Sequence, residues 1–166
     1  MVNPINIVNG AIVPDSEKLI NEMTKQRLQS YVLQEGDIVI GRRGEIGRCA
    51  VVDLEQAGWI CGTGCFFIRP LPTINSHFIA NLIRSSSYRE QLERASTGAT
   101  MLNLSNKALG ELLVAVPSLQ NQKNLLGQLD VLSSETLRLE SIYQQKLTAL
   151  EELKKSLLHQ AFSGRL

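Results

Sequence analysis

From Leu125 to Leu157 the chain repeats an apolar position at alternating steps of four and three residues: Leu125, Leu129, Leu132, Thr136, Leu139, Tyr143, Lys146, Leu150, Leu153 and Leu157. Eight of these ten positions are Leu or Tyr, and each exception adjoins a leucine, Leu137 beside Thr136 and Leu147 beside Lys146. A four–three step keeps one narrow stripe on the same side of a slightly underwound helix, so it predicts a helix that supercoils against another helix. After Pro117 there is no proline, and Gly127 is the only glycine before Gly164, so nothing interrupts such a helix. About 40 residues rising 1.5 Å each make a rod on the order of 60 Å. A domain built from the preceding residues is too small to cover it. An amphipathic helix folded onto its own core is therefore the weaker reading. The seam predicts pairing with a helix from another copy or from a related chain.

The texture before this rod is different. Residues 1–117 mix short apolar runs with Gly, Pro, Asn and Thr, and the change falls at Val116-Pro117-Ser118. We read a globular domain over 1–117 and the long helix over 118–166. Ile5 to Val8 and Ile12-Val13 read as short strands around the turn dipeptide Asn9-Gly10. Residues 17–28 are polar, with a helical turn or two. Asp37 to Ile40, Arg48 to Val52 and the run CFFIR at 65–69 read as strands. Ser76 can cap one helix running from His77 to about Glu93, and Ser105 can cap a short helix over 106–110. The run ELLVAV at 111–116 reads as a returning strand before Pro117. Strands and helices alternate without clean βαβ units, so the fold class is α+β: a small mixed-sheet domain followed by one long coiled-coil α-helix.

Composition removes several function classes. A hydrophobic content of 43% supports a real core. The net charge of +1 leaves nucleic-acid binding to local patches. No basic start with an apolar run opens the chain, and no stretch nears 18 apolar residues, so neither a leader nor a membrane span is expected and the cytoplasm is favoured. Cys49, Cys61 and Cys65 then read as reduced thiols. CGTGC, with His77 twelve residues on, does not make a four-ligand zinc framework, so no metal site is expected.

The most conspicuous short stretch is GDIVIGRRGEIGRCAVV at 36–52, with four glycines and three arginines between apolar runs. GRRGEIGR lacks the Lys-[Ser/Thr] of a phosphate-binding loop, and the next residues, RCAVV, read as strand, not as the helix a dinucleotide fold requires. With two histidines, one of them in the long helix, no Ser-His-Asp or Cys-His arrangement is supported. Acidic or glycine-rich signatures of a nuclease or methyltransferase are not found, so no catalytic residue is assigned. The stretch fits a hairpin whose Gly44 and Gly47 take positive φ, with Arg42, Arg43 and Arg48 around the tip. Arginine suits bidentate contacts with phosphate or guanine edges. The plainer reading is a solvated turn whose arginines pair with Glu45 and Asp37. A second basic region holds Arg69, Arg84, Arg89, Arg94 and Lys107 against Glu90 and Glu93, and surrounds STGATMLNLS. The hydroxyls, amide and backbone N–H groups of that loop can meet a sugar–phosphate backbone; helix capping by Thr97 and Ser105 is the alternative.

Three stretches, LQEGDIVIGRRGEIGRCAVV, STGATMLNLSNKALGELLVAVPSLQNQKNLLGQLDVL and KLTALEELKKSLLHQAFSGRL, resemble the specificity subunit of Type I restriction–modification systems across nearly the whole chain. The most specific parts are the strand-Pro-x-Leu-x-x-Gln junction and the terminal KKSLLHQAFSGRL. The resemblance implies a non-catalytic chain with a target-recognition domain that reads one half of a split site in double-stranded DNA. It implies a long helix that pairs antiparallel, in a homodimer or with another specificity chain. It implies partners: modification subunits, which bind S-adenosylmethionine, and through them restriction subunits. On this reading Arg42, Arg43, Arg48, Thr97, Thr100, Asn103 and Lys107, taken from the basic hairpin and the loop, are expected near DNA, and the seam positions Leu125, Leu129, Leu132, Leu139, Tyr143, Leu150, Leu153 and Leu157 in the helix pair. One recognition domain and one helix make about half of such a subunit, and the domain is short at its N-terminal side. Ser118 stands where the family often has a second proline, and Asn121 where it often has Glu. The competing functions are a coiled-coil adaptor with a protein-binding globular domain, and a truncated remnant.

Overall fold

The computed structural model describes residues 1–15, 19–98 and 102–164. Met1–Lys123 form one unit and Asn124–Leu166 a second.

In the first unit, β1 (Ile7–Val8) and β2 (Ala11–Ile12) make a minimal hairpin. Its turn puts Asn9 at φ 50° and Gly10 at φ 82°, the pair of left-handed residues that matches strand twist. A short helix, α1 (Glu22–Arg27), follows, capped by the Asn21 side chain on Thr24 N. Three strands then form an antiparallel sheet in the order β4-β3-β5, with β3 (Ile38–Gly41) central, β4 (Cys49–Val51) and β5 (Cys65–Ile68) outside. Both sheets are antiparallel; among the described residues the parallel element is a single bridge between Val2 and Cys61.

The central strand is buried on both faces because every residue of IVIG is apolar. Val39 joins Ile7, Ile12, Leu33, Ala50, Val52 and Cys61 in one core cluster, flanked by Trp59 and Phe67. Ile40 pairs with Cys49 on the other face, where Cys49 Sγ reaches Ala80 O at 3.5 Å. That face is covered by α2 (Ser76–Arg84), which buries Phe78, Ile79, Ala80 and Ile83. Burying each large aliphatic side chain contributes about 1.5–3 kcal/mol before entropy is counted.

Three sequence expectations fail here. The single helix from His77 to Glu93 is two helices, α2 and α3 (Ser86–Arg94). Ser85 breaks them: its Oγ donates to Leu82 O at 2.7 Å and its backbone is extended, at ψ 149°. A short hydroxyl side chain competes with the helix for backbone partners, which the apolar periodicity alone does not register. Asn75, not Ser76, caps α2 on Phe78 N, while Ser76 Oγ donates to Gly36 O at 2.5 Å. The expected strand at 111–116 is also absent. Residues 112–118 run without regular structure and Leu113 is 88% exposed, since a strand needs a neighbour to pair with and no ladder takes this segment. The short helix α4 (Asn106–Gly110) forms as expected, with Ser105 Oγ accepting from Ala108 N at 3.1 Å.

The long helix, α5 (Leu119–Phe162), begins in the first unit and makes up nearly all of the second. Its seam residues Leu125, Leu129, Leu132, Leu139, Tyr143, Leu150, Leu153 and Leu157 are 43–65% exposed. Among the described residues no helix is long and apolar enough to cross a membrane.

Candidate nucleic-acid interface

The loop between β3 and β4 is built from its glycines. Gly44 and Gly47 sit at φ 75° and 81°, conformations a β-branched residue resists, and they turn the chain so that Ile46 between them is fully buried. The tip is therefore anchored, not loose. It is also paired. Gly44 N donates to Leu102 O at 3.2 Å and Leu104 N donates to Arg42 O at 2.8 Å, which sets Arg43 opposite Asn103. Asn103 in turn exchanges two backbone bonds with Thr97, at 2.7 and 3.1 Å. The hairpin tip and Thr97 thus lie on either side of Asn103, the tip from 60 positions away in sequence and Thr97 from six.

The expected site residues divide accordingly. Arg42, Arg43, Thr97 and Asn103 are brought together. Arg42 lays its guanidinium over the Phe66 ring, 4.6 Å from the centroid, and its Nε is buried without a hydrogen-bond partner. The Oδ1 of Asn103 is likewise buried and unpaired. Arg43 is exposed, and among the described residues no carboxylate pairs with it. Arg48 turns away from this group: it bonds Glu45, and its other terminal nitrogen is 3.4 Å from Pro4 O. Hydrogen bonding and charge from Arg48, helped by Arg89, hold the Glu45 carboxyl below the usual carboxylate range. Lys107 lies on α4 with its ammonium 3.9 Å from Glu111 Oε1. Thr100 lies outside the described residues.

The second basic region is less uniform than its composition suggests. Arg69 gives two guanidinium nitrogens to Asp37, at 2.7 and 2.8 Å, and stacks on Phe67. Asp37, 1% exposed, also accepts from Gln34 N. This pair is a brace inside the domain, and the bond to Asp37 raises the Arg69 pKa further. Arg94 pairs with Glu90. Arg84 and Arg89 are the surprise. On one continuous helix five residues apart they would point about 140° from each other. The break at Ser85 brings both to a cleft of about 350 Å³ that they share with Gly10, Glu45, Gly47 and Arg48. No signal in the apolar pattern could have placed them there; the three consecutive serines at 85–87 were the available hint.

The three thiols are buried, and burial pushes Cys49 and Cys61 up to about 11 and Cys65 up to about 12, far from a nucleophile's range.

A family model described as the Type I restriction modification DNA specificity domain matches residues 5–151. The chain belongs to this family. The specificity domain is 27% identical over 172 residues to the Type I restriction enzyme EcoKI specificity subunit of Escherichia coli (strain K12), covering 100% of this chain and 36% of that protein. It is 27% identical over 167 residues to the StySPI specificity subunit of Salmonella potsdam, covering 97% and 35%. The chain thus spans about a third of the length of the curated relatives it matches, against the half expected from its parts. Its fold is that of the HsdS subunit from Thermoanaerobacter tengcongensis, with a TM-score of 0.66 at 22% identity over 83% of this chain and 36% of that one. A chain from a structure of the type I R-M system gives 0.62 at 22% identity over 81% and 32%.

Proposed function

We propose that this specificity domain reads a half-site of double-stranded DNA within a Type I restriction–modification complex, and presents the paired tip of Arg42, Arg43, Thr97 and Asn103 to it. One observation carries the reading. The β3–β4 tip, Thr97 and residues 102–104 are hydrogen-bonded into one platform whose arginines have no carboxylate partners among the described residues, and whose Arg42 Nε and Asn103 Oδ1 are buried without a hydrogen bond. Buried polar atoms left without a partner are costly, so the platform has a reason to rearrange when a polar ligand meets it. Arg and Asn are also the side chains whose forks match guanine and adenine edges in the major groove. Lys107 is proposed to contact the phosphates; Thr100, proposed for the same role, lies outside the described residues.

In this reading the role is recognition, not catalysis. Modification and restriction subunits are the partners, the methyl donor S-adenosylmethionine belongs to the modification subunit, and the complex works in the cytoplasm. The α5 seam pairs antiparallel with a second helix, from another copy or another specificity chain. The test is selection from a randomised duplex pool by the chain assembled with its modification subunits. An enriched half-site, altered in Arg43→Ala and Asn103→Ala variants, is the expected result. A pool that stays random with the wild-type assembly overturns the reading.

A further inference from the structure

We propose that the cleft between the β1–β2 turn, the β3–β4 hairpin and the α2–α3 break is a separate phosphodiester site, holding a DNA backbone phosphate beside the bases that the hairpin tip reaches. The inference rests on the DNA-recognition reading and adds to it two residues, Arg84 and Arg89, and a role distinct from the tip.

The charge count comes first. Arg48, Arg84 and Arg89 line the cleft against Glu45, three guanidiniums to one carboxylate. Arg48 and Arg89 share that carboxylate, Arg89 at 3.7 Å. Arg84 has none among the described residues; its partner is the neutral Asn81 Oδ1 at 3.2 Å. The cleft is thus short of negative charge by two. Cys49 on its wall does not offset this, since burial keeps it a thiol. A planar guanidinium offers paired donors that match the oxygens of a phosphate, so a site with three of them discriminates in favour of that anion.

Two of the arginines lie against glycine backbone. A Cβ on Gly10 would lie 1.7 Å from Arg84 Nη1, and a Cβ on Gly47 2.8 Å from Arg89 Cγ. Both side chains therefore rest on backbone that any added Cβ would block.

The position fits one duplex. Arg43 at the tip and Arg48 in the cleft belong to the same hairpin, and five residues span at most about 18 Å of chain. Successive phosphates along a strand advance about 3.4 Å of helix axis each. A backbone phosphate within a few base pairs of the read bases is then in reach of the cleft. Glu45 occupies the place of the missing anion, and a phosphate displaces it from Arg89 and Arg48.

This displacement gives the test an unusual sign. Binding of the chain assembled with its modification subunits is measured on target and scrambled duplexes across a salt series. Arg84→Gln with Arg89→Gln should weaken both duplexes by the same factor, leave their ratio unchanged, and lower the log–log salt slope by about 0.9, one phosphate's worth. Glu45→Gln should tighten both duplexes. Arg84→Lys with Arg89→Lys keeps the charge and should retain most of the slope. A double Gln variant with wild-type slope and affinities overturns the cleft while leaving the recognition reading standing. So does a Lys pair that loses as much slope as the Gln pair, or a Glu45→Gln variant that binds no tighter. A wild-type assembly that binds no duplex overturns both readings together.

Discussion

The side chain of Gln122 accepts the backbone N–H of Asn75 through Oε1 at 2.8 Å, across 47 positions of sequence. Its Nε2 donates to Pro117 O at 2.8 Å and Thr73 O at 3.2 Å, and the residue is fully buried. Asn75 in turn caps α2 with its own side chain. One amide thus satisfies three backbone groups and ties the first turn of α5 to the loop before α2. An amide is the one side-chain type with both an acceptor and two donors in this plane. Gln122→Met should cost on the order of 2–3 kcal/mol, since it strands buried partners. Gln122→Glu should cost more at neutral pH, because a carboxylate would face two carbonyls, and should recover as the pH falls and the acid becomes a donor. Denaturant unfolding decides; a Met variant within about 0.5 kcal/mol of wild type removes this role for the bond.

The three hairpin arginines should not behave alike. Arg48→Ala removes one of the two arginine partners of Glu45, and Arg43→Ala removes an exposed side chain with no carboxylate partner among the described residues. We expect Arg43→Ala to leave stability within about 0.5 kcal/mol of wild type, as for a surface substitution. In the assembled complex it should either relax one base position by about 1–3 kcal/mol or lower the salt slope by about one. Arg42→Ala strips the cover from Phe66 and should cost both stability and binding. Equal binding, selectivity and salt slope in all three variants would make the tip a structural turn. Gly44→Val is the control for geometry: it should damage folding through φ 75° whatever the tip contacts.

These residues also show what a sequence can and cannot disclose. The Asn9-Gly10 turn, the Gly44 and Gly47 geometry and the Ser105 cap were legible because each depends on a few adjacent residues. The length of α5 was legible because no proline interrupts it after Pro117. The pairing of Arg43 with Asn103 was not, since 60 residues separate them and only the backbone partners of a loop decide it. Arg69 looked like part of a basic surface because Asp37, its partner, is 32 positions away. The α2–α3 break hid under an apolar pattern that suits one helix as well as two, and with it went the cleft of Arg84 and Arg89.

The thiols set an alkaline limit on the fold. Cys49, Cys61 and Cys65 are raised, by burial first, to about 11, about 11 and about 12. The folded state therefore holds these protons more tightly than the unfolded chain. Between the ordinary thiol pKa near 9 and these values the native state binds more protons, so stability falls as pH rises. Below that window it is unaffected by these groups. Each thiol contributes a slope of at most about 1.4 kcal/mol per pH unit. The difference between wild type and Cys61→Ala across pH 8 to 12 isolates the term, and a difference that stays constant over that range contradicts it. At pH 8 the thiolate fraction in the native chain should be roughly a hundredfold below that of the unfolded chain. A thiol reagent that labels both at one rate contradicts that as well.

The last prediction concerns the seam. Leu132 and Leu150 are 65% and 61% exposed in the single chain. Leucines repeated at a heptad spacing and left open to water favour association, each contributing about 1.5–3 kcal/mol when covered. Leu132→Glu with Leu150→Glu should abolish pairing, because a dimer would bury four carboxylates at several kcal/mol in all. The same variant should leave the first unit's stability unchanged, since both positions lie in the second. Lys146 probes specificity: it interrupts the seam and holds its ammonium 5.6 Å from the Tyr143 ring. A polar residue at a seam position lowers stability and fixes register. Lys146→Leu should therefore tighten association and broaden the range of oligomers formed. Analytical sedimentation measures all of this. A wild-type chain that stays monomeric at tens of micromolar excludes self-pairing, and the seam's partner is then a helix of a different chain.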